Sequence, residues 1–230
     1  MASKNSEWVG GSGFLALIDH ELFLVTTAHI GDRDLAPRAD WREWPDRIFV
    51  GHTVLVDQED GLPKRIASFE LFFEDSELQR IPRFKYQLRE DMPGRMADII
   101  LLPLGQEVQL EQTYRFFDLP AEIGDHRPGA PVTLVGRPTS TFPQLVATTG
   151  HATVQAGPLR LMFPAGQDGD SGAPVINAQG LLLGMNVGSH VNAMDQAMLL
   201  SPEAIVALAS SVDGVALEWP QFAAVSPGTP

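Results

Sequence analysis

Short apolar runs separated by turn-forming residues extend along most of the chain. Gly, Pro, Asp and Asn occupy the gaps, and no run approaches the roughly 18 apolar residues of a membrane span. Brief runs with frequent turn signals predict β-strands, and about a dozen of them favour a sandwich or a barrel. We therefore expect an all-β fold. The predicted strands lie at residues 14–18, 22–28, 48–56, 66–73, 99–104, 132–136, 145–149, 152–155, 159–163, 174–177, 181–187 and 196–200.

One segment near the end of the chain has a helical pattern instead. Ser201 is suited to cap a helix, and Pro202 is favoured at the first helical position. The apolar side chains that follow form a single stripe. They are Ala204, Ile205, Leu208 and Ala209. The pattern predicts a C-terminal helix within residues 201–215 and a flexible tail over residues 216–230.

A serine lies between two glycines in residues 168–174, which read DGDSGAP. Gly169 can adopt backbone angles closed to other residues, so its N–H and that of Ser171 can point at one oxygen. A hydroxyl beside two converging N–H donors is what acyl transfer requires. Alone, such a turn is usually only a loop. The interpretation therefore depends on a base and an acid elsewhere in the chain.

Both groups occur next to apolar strands. His29 follows the apolar run at 22–25, and Asp98 precedes the apolar run at 99–104. A carboxylate at the mouth of a buried strand needs a hydrogen-bonded partner, and a histidine N–H is a natural one. The order His29, Asp98, Ser171 is the chymotrypsin order, and it differs from the orders in subtilisin and the α/β-hydrolases.

Taken together, these segments resemble the chymotrypsin-like (trypsin-fold) serine peptidases, in particular the compact bacterial HtrA-type protease domain. The likeness covers about residues 9–212 and includes the strand that lines the specificity pocket. It implies an all-β, two-barrel chymotrypsin-like fold with a C-terminal helix. The matching motifs are residues 11–14 (GSGF), 27–29 (TAH), 98–101 (DIIL) and 169–172 (GDSG).

The resemblance also implies how the chain is divided. Residues 1–108 would form the first barrel, with His29, Asp98 and an insert around residues 32–90. Residues 109–200 would form the second barrel, which carries Ser171. The implied activity is that of a trypsin-like serine endopeptidase. It would cleave protein or peptide substrates by a Ser-His-Asp acyl-enzyme mechanism, without a cofactor or metal. Catalysis would use His29, Asp98 and Ser171, with the Gly169 and Ser171 amides as the oxyanion hole.

The resemblance further implies which residues line the substrate pocket. No acid lies at its expected base, and Asn186 stands where glutamate-specific relatives have a histidine. We therefore expect a neutral pocket for a small or medium apolar side chain. The expected lining residues are Ala165, Gly166, Asn186, Val187, Gly188 and Ser189.

Two departures from the family pattern leave regulation open. Few residues precede Gly11, so an opening strand would be missing and one barrel edge would be unpaired. The insert at residues 32–47 carries Trp41 and Trp44 among charges. A regulatory protein could bind the edge or this insert, or the insert could pack over the barrel end. The alternative functions are a catalytically silent trypsin-fold interaction module and an enzyme latent until a partner orders its oxyanion loop.

Composition narrows these options. The net charge of −13 over 230 residues argues against nucleic acid and anionic membranes as partners. The chain lacks cysteine, which excludes thiol catalysis and cysteine-bound zinc and, with no apolar leader at the start, indicates a cytoplasmic protein. The remaining histidines lack a metal-ligand spacing. They are His20, His52, His126, His151 and His190.

Overall fold

The computed structural model describes residues 10–32, 34, 37–59, 61–105, 110, 114–190, 193–212 and 216–217. These residues form sixteen β-strands and one α-helix, which confirms the predicted all-β class with a C-terminal helix. The strands are β1 (Gly13–Ile18), β2 (Glu21–Thr26), β3 (Arg47–Val56), β4 (Pro63–Glu70), β5 (Phe72–Glu74), β6 (Arg80–Pro82), β7 (Leu88–Arg89), β8 (Ile100–Pro103), β9 (Phe116–Leu119), β10 (Pro131–Gly136), β11 (Val146–Ala156), β12 (Leu159–Phe163), β13 (Pro174–Asn177), β14 (Leu182–His190), β15 (Ala193–Leu200) and β16 (Ala216–Leu217).

The first half of the molecule is built on a four-stranded sheet of order β8-β2-β1-β9. β1 and β2 form a hairpin whose two turn residues, Asp19 and His20, both have positive φ, as a type I′ turn requires. β9 pairs with β1 in parallel, and β8 pairs with β2 in antiparallel. β9 lies beyond residue 108 and occupies the edge of β1 opposite β2, so this edge is paired in the structure.

The other strands of the first half form two-stranded ribbons. β3 pairs with β4, β5 with β6, and β7 with β16 in parallel. Across the described residues, hydrogen bonds thus join the first half into an open sheet with ribbons, whereas the second half is a closed barrel. The pairing of β16 brings the start of the predicted tail back to the first half, where the Lys85 ammonium also donates to the Ser211 carbonyl. Residues 218–230 of that tail lie outside the described residues.

The insert at residues 32–47 packs onto the first half by its aromatic side chains. Trp44 is 4% exposed, stacks on Phe84 and belongs to the same buried cluster as Leu15 and Leu24. Trp41 is half-buried and contacts Trp44 edge to face. Burial of such large rings contributes strongly to the core, so Trp44 stabilises this half from within.

The second half is a closed six-stranded barrel of order β10-β11-β12-β15-β14-β13. The α-helix α1, Pro202–Ser210, follows it directly. The Ser201 side chain accepts from the Ala204 N–H, which confirms the predicted cap. Ile205 and Leu208 are fully buried in the cluster that also contains the barrel residue Met185. No helix within the described residues is both long and apolar enough to cross a bilayer.

Candidate active site

His29 lies at the end of a buried strand. β2 ends at Thr26, and a single 3₁₀ turn over Ala28–Ile30 brings the imidazole to the rim of the core. Both oxygens of Asp98 accept hydrogen bonds from this residue. His29 Nδ1 is 2.8 Å from Asp98 Oδ2, and the His29 backbone N–H donates to Asp98 Oδ1 over 2.9 Å. Asp98 therefore fixes both the backbone and the ring of His29.

Strand pairing explains why these two residues meet across 69 positions of sequence. β8 runs antiparallel to β2, and Thr26 lies opposite Ile100 in that register. Asp98 precedes β8 just as His29 follows β2, so both side chains lie at the same end of the sheet. Ala97 and Ile99, on either side of Asp98 in the sequence, are both buried. The Asp98 carboxylate between them contacts the imidazole of His29.

The environment of His29 favours its protonated form. Burial lowers the pKa of the imidazole, but the hydrogen bond that His29 donates to Asp98 and the negative charge of Asp98 outweigh burial, so the pKa is raised above the ordinary 6.5. A neutral His29 that donates from Nδ1 to the Asp98 carboxylate keeps Nε2 free of a proton. That tautomer has the lone pair a general base needs.

The turn around Ser171 has the backbone that its glycines predict. Gly169 and Gly172 have φ of +96° and +85°, angles that L side chains rarely adopt. The Asp170 N–H donates to the Gln167 carbonyl, and the Gly172 N–H donates to the Asn186 carbonyl. The N–H groups of Gly169 and Ser171 bind no described residue and are available as donors. The Ser171 hydroxyl likewise has no hydrogen bond to His29 or any other described residue.

Ser12 joins this turn to the strand that precedes His29. Its N–H donates to the Ser171 carbonyl over 2.7 Å, and its Oγ donates to the Gly169 carbonyl over 3.1 Å. The Thr26 hydroxyl, at the end of β2, donates in turn to the Ser12 carbonyl. A Cβ at Gly172 would overlap the Ser12 carbonyl, so the close approach needs this glycine. The GSGF motif thus brings Ser171 to the end of the sheet that holds His29.

Asp170, between Gly169 and Ser171, is buried and structural. Its Oδ2 accepts from the Gln167 N–H over 2.9 Å, while its Oδ1 has no hydrogen-bond partner among the described residues. The carboxylate packs against Gly136, where a Cβ would collide with it. Burial raises the pKa of Asp170, and the Gln167 N–H opposes that shift.

Two of the predicted pocket residues, Gly166 and Asn186, are in contact in the structure. The Asn186 side chain is 2% exposed, packs against Gly166 and donates from Nδ2 to the Asp170 carbonyl. Its Oδ1 accepts from the Gly188 N–H, so the Asn186 side chain links β14 to the turn. Val187 is also buried. Two further predicted residues are tied to β15: the Ala165 N–H donates to the Asp195 carbonyl, and Ser189 lies opposite Ala197 in the strand register.

Three groups fix the turn, and no sequence pattern indicates that role for any of them. These are the Ser12 hydroxyl, the Thr139 N–H and the Asn186 amide, which bind three successive carbonyls of residues 168–170. The only signal for Ser12 was its place in the GSGF motif. Within the described ranges, no three His, Asp or Glu side chains group closely enough to bind a metal ion.

No family model matches this sequence, and no curated protein is significantly similar to it. Solved structures are similar in fold. The apo protease domain of MamO from Magnetospirillum magneticum is 17% identical with a TM-score of 0.50, over 89% of this chain and 90% of that one. An inactive form of Rv3671c from M. tuberculosis is 16% identical with a TM-score of 0.44, over 89% and 84%. A serine protease of a human pathogenic astrovirus is 17% identical with a TM-score of 0.44, over 83% and 82%.

The likeness to the MamO protease domain extends over nearly the full length of both chains. Because the two sequences are only 17% identical, this likeness shows a shared fold and nothing more. The chain accordingly has the chymotrypsin-like fold of serine proteases, as the order of its motifs predicted.

Proposed function

We propose that this protein is a serine endopeptidase in which His29, Asp98 and Ser171 form the catalytic triad. The observation that carries the proposal is the double hydrogen bond from His29 to the two oxygens of Asp98. Here the same carboxylate fixes backbone and ring, and the arrangement lies beside a Gly-Asp-Ser-Gly turn with two available amides.

In the proposed reaction, Ser171 Oγ attacks the carbonyl carbon of a peptide bond as His29 Nε2 takes its proton. The carbonyl π electrons move to oxygen, and the Gly169 and Ser171 N–H groups bind that oxyanion. The intermediate collapses with loss of the amine, which takes the proton from His29 and leaves an acyl-Ser171 ester. His29 then deprotonates a water that hydrolyses the ester, and Ser171 recovers its proton.

The proposed substrates are proteins or peptides with a small or medium apolar side chain at the cleavage position. The supporting observation is chemical. Asn186 is uncharged, buried and packed against Gly166, and Val187 is apolar and buried. No carboxylate among the predicted pocket residues could pair with a substrate lysine or arginine. A peptide library with each residue type at the cleavage position tests this preference directly.

Labelling with a fluorophosphonate probe tests the proposed nucleophile. We expect the probe to modify the purified protein at Ser171, identified by mass spectrometry of the labelled peptide. The Ser171→Ala variant should fold normally and lose labelling and peptidase activity by several orders of magnitude. Ser76→Ala, at an exposed serine, is the matched control and should react like the parent. Labelling at another residue, or undiminished cleavage by Ser171→Ala, would contradict the assignment.

A second candidate is an enzyme that stays latent until a protein partner binds. The observation in its favour is that the Ser171 hydroxyl makes no hydrogen bond to His29. Catalytic hydrogen bonds are often long in unliganded enzymes, so the two candidates need an assay. Vigorous cleavage of casein by the purified chain alone would exclude latency. Silence on casein with Ser171 still reactive to the probe would support it, and silence in both would favour a non-catalytic interaction module.

A further inference from the structure

The carbonyl groups of the turn before Ser171 are fixed one after another by different parts of the chain. The Asp168 carbonyl accepts from the Thr139 N–H over 2.6 Å, and the Gly169 carbonyl accepts from Ser12 Oγ. The Asp170 carbonyl accepts from Asn186 Nδ2 over 3.0 Å and from the Ala173 N–H over 2.9 Å.

These bonds orient the two amides proposed to bind the oxyanion. In a trans peptide, the N–H points opposite to the C=O of the same unit. The Asp170 carbonyl and the Ser171 N–H belong to one unit, and the Asp168 carbonyl and the Gly169 N–H belong to another. Because each carbonyl is bound on one side, each N–H must face the other way. A rotation of either unit would turn an oxyanion donor aside and break a hydrogen bond.

Asn186 is the side chain that acts on the Ser171 unit. It is 2% exposed, and each of its polar groups is used: Nδ2 on the Asp170 carbonyl and Oδ1 on the Gly188 N–H. Its backbone is bonded to the same turn, since its carbonyl accepts from the Gly172 N–H and its N–H donates to the Ala173 carbonyl. The Asn186 Nδ2 group therefore donates within the protein and is not directed at a substrate side chain.

We propose that Asn186 is a positioning residue for the Ser171 oxyanion donor, and not the determinant of specificity that its place in the pocket strand predicts. The proposal rests on the peptidase function proposed above. It follows that Asn186 contributes to binding of the negatively charged tetrahedral oxygen and little to binding of the uncharged substrate.

The test compares two inhibitors on Asn186→Asp, which keeps the shape and Oδ1 but replaces the Nδ2 donor with an acceptor. The inhibitors are a peptide aldehyde ending in valine, which forms a tetrahedral adduct with Ser171, and the matching peptide amide, which does not. We expect aldehyde affinity to fall about 10²–10³-fold, the usual cost of one oxyanion donor, with amide affinity within about threefold of the parent. Asn177→Asp is the control, because the Asn177 side chain binds the described residues through Oδ1 alone, which accepts from the Gln179 and Leu181 N–H groups.

Asn186→Ala is the second variant, for use if the aspartate prevents folding, and it should give the same selective loss. Equal losses for both inhibitors would assign Asn186 to the pocket and overturn the inference alone. Unchanged affinity for both would also overturn it. A folded parent that fails to react with the fluorophosphonate and binds neither inhibitor would contradict the proposed function itself, and the inference with it.

Discussion

Replacing Asp98 with asparagine tests how the carboxylate acts on His29. Both Asp98 oxygens accept hydrogen bonds, one from the His29 backbone N–H and one from Nδ1. Asparagine has one acceptor and one donor. If its oxygen binds the backbone N–H, its amide group faces Nδ1 and donates to it. The imidazole proton then moves to Nε2, the nitrogen that should accept from Ser171.

The magnitude follows from this exchange of tautomer. A base that already carries a proton cannot accept one, so turnover near neutral pH should fall about 10⁴-fold. At about 1.4 kcal/mol for each factor of ten, this corresponds to roughly 5.5 kcal/mol of transition-state stabilisation. The pKa of His29 should also fall, because burial still lowers it while the charge and the hydrogen bond that raised it are gone.

The assay is the second-order rate of fluorophosphonate labelling or peptide cleavage between pH 7 and 8, with an NMR titration of His29 in parallel. Asp118→Asn is the matched control, because Asp118 is exposed on β9 and should tolerate the change without effect. A correctly folded Asp98→Asn variant with activity within about tenfold of the parent would refute the reasoning. So would an unchanged pKa of His29.

Three further outcomes can be checked independently. Because the pKa of His29 is raised above 6.5, its neutral form predominates only above that pH. The midpoint of the pH profile of kcat/KM should therefore lie above 6.5, and a midpoint at or below 6.5 would contradict this. Gly172→Ala should lower Tm and abolish labelling, because the new Cβ meets the Ser12 carbonyl. Gly129→Ala is the control: Gly129 has a similar positive φ but open space around it, so this variant should only lower Tm by a few degrees. Burial lowers the pKa of His126, so the unfolded chain binds its proton more readily and Tm should fall below pH 6.5; His126→Gln should reduce this slope relative to the parent.

Local signals made part of the fold predictable from the sequence. Ser201 and Pro202 specify where α1 begins, because capping depends on neighbouring residues alone. The positive φ of Gly169 and Gly172 follows in the same way from the residues themselves. The proximity of His29 and Asp98 came from motif order, which reflects a fold and not a local preference.

Long-range contacts account for what the sequence did not reveal. The parallel pairing of β9 with β1 joins residues about a hundred positions apart. The hydrophobic pattern of a strand indicates which face is buried but not which other strand it pairs with. Trp44 is flanked by exposed charged residues, yet it stacks within the core, since its burial depends on Phe84 far along the chain. No local pattern predicts the bond from Asn186 to the Asp170 carbonyl, because a polar residue in a pocket strand fits a substrate role equally well.

The chain passes from the first half to the second half and then back to the first. It leaves the first half after β9, builds the barrel and α1, and returns to pair β16 with β7. A fragment ending at residue 108 would keep the β1–β2 hairpin but would lack β9, which pairs with the other edge of β1, and β16, which pairs with β7. Two separately expressed fragments would therefore have to combine to complete both sheets, and the same event would bring Ser171 to His29. On the proposed function, neither fragment alone should react with the fluorophosphonate, and recovered labelling would report their association.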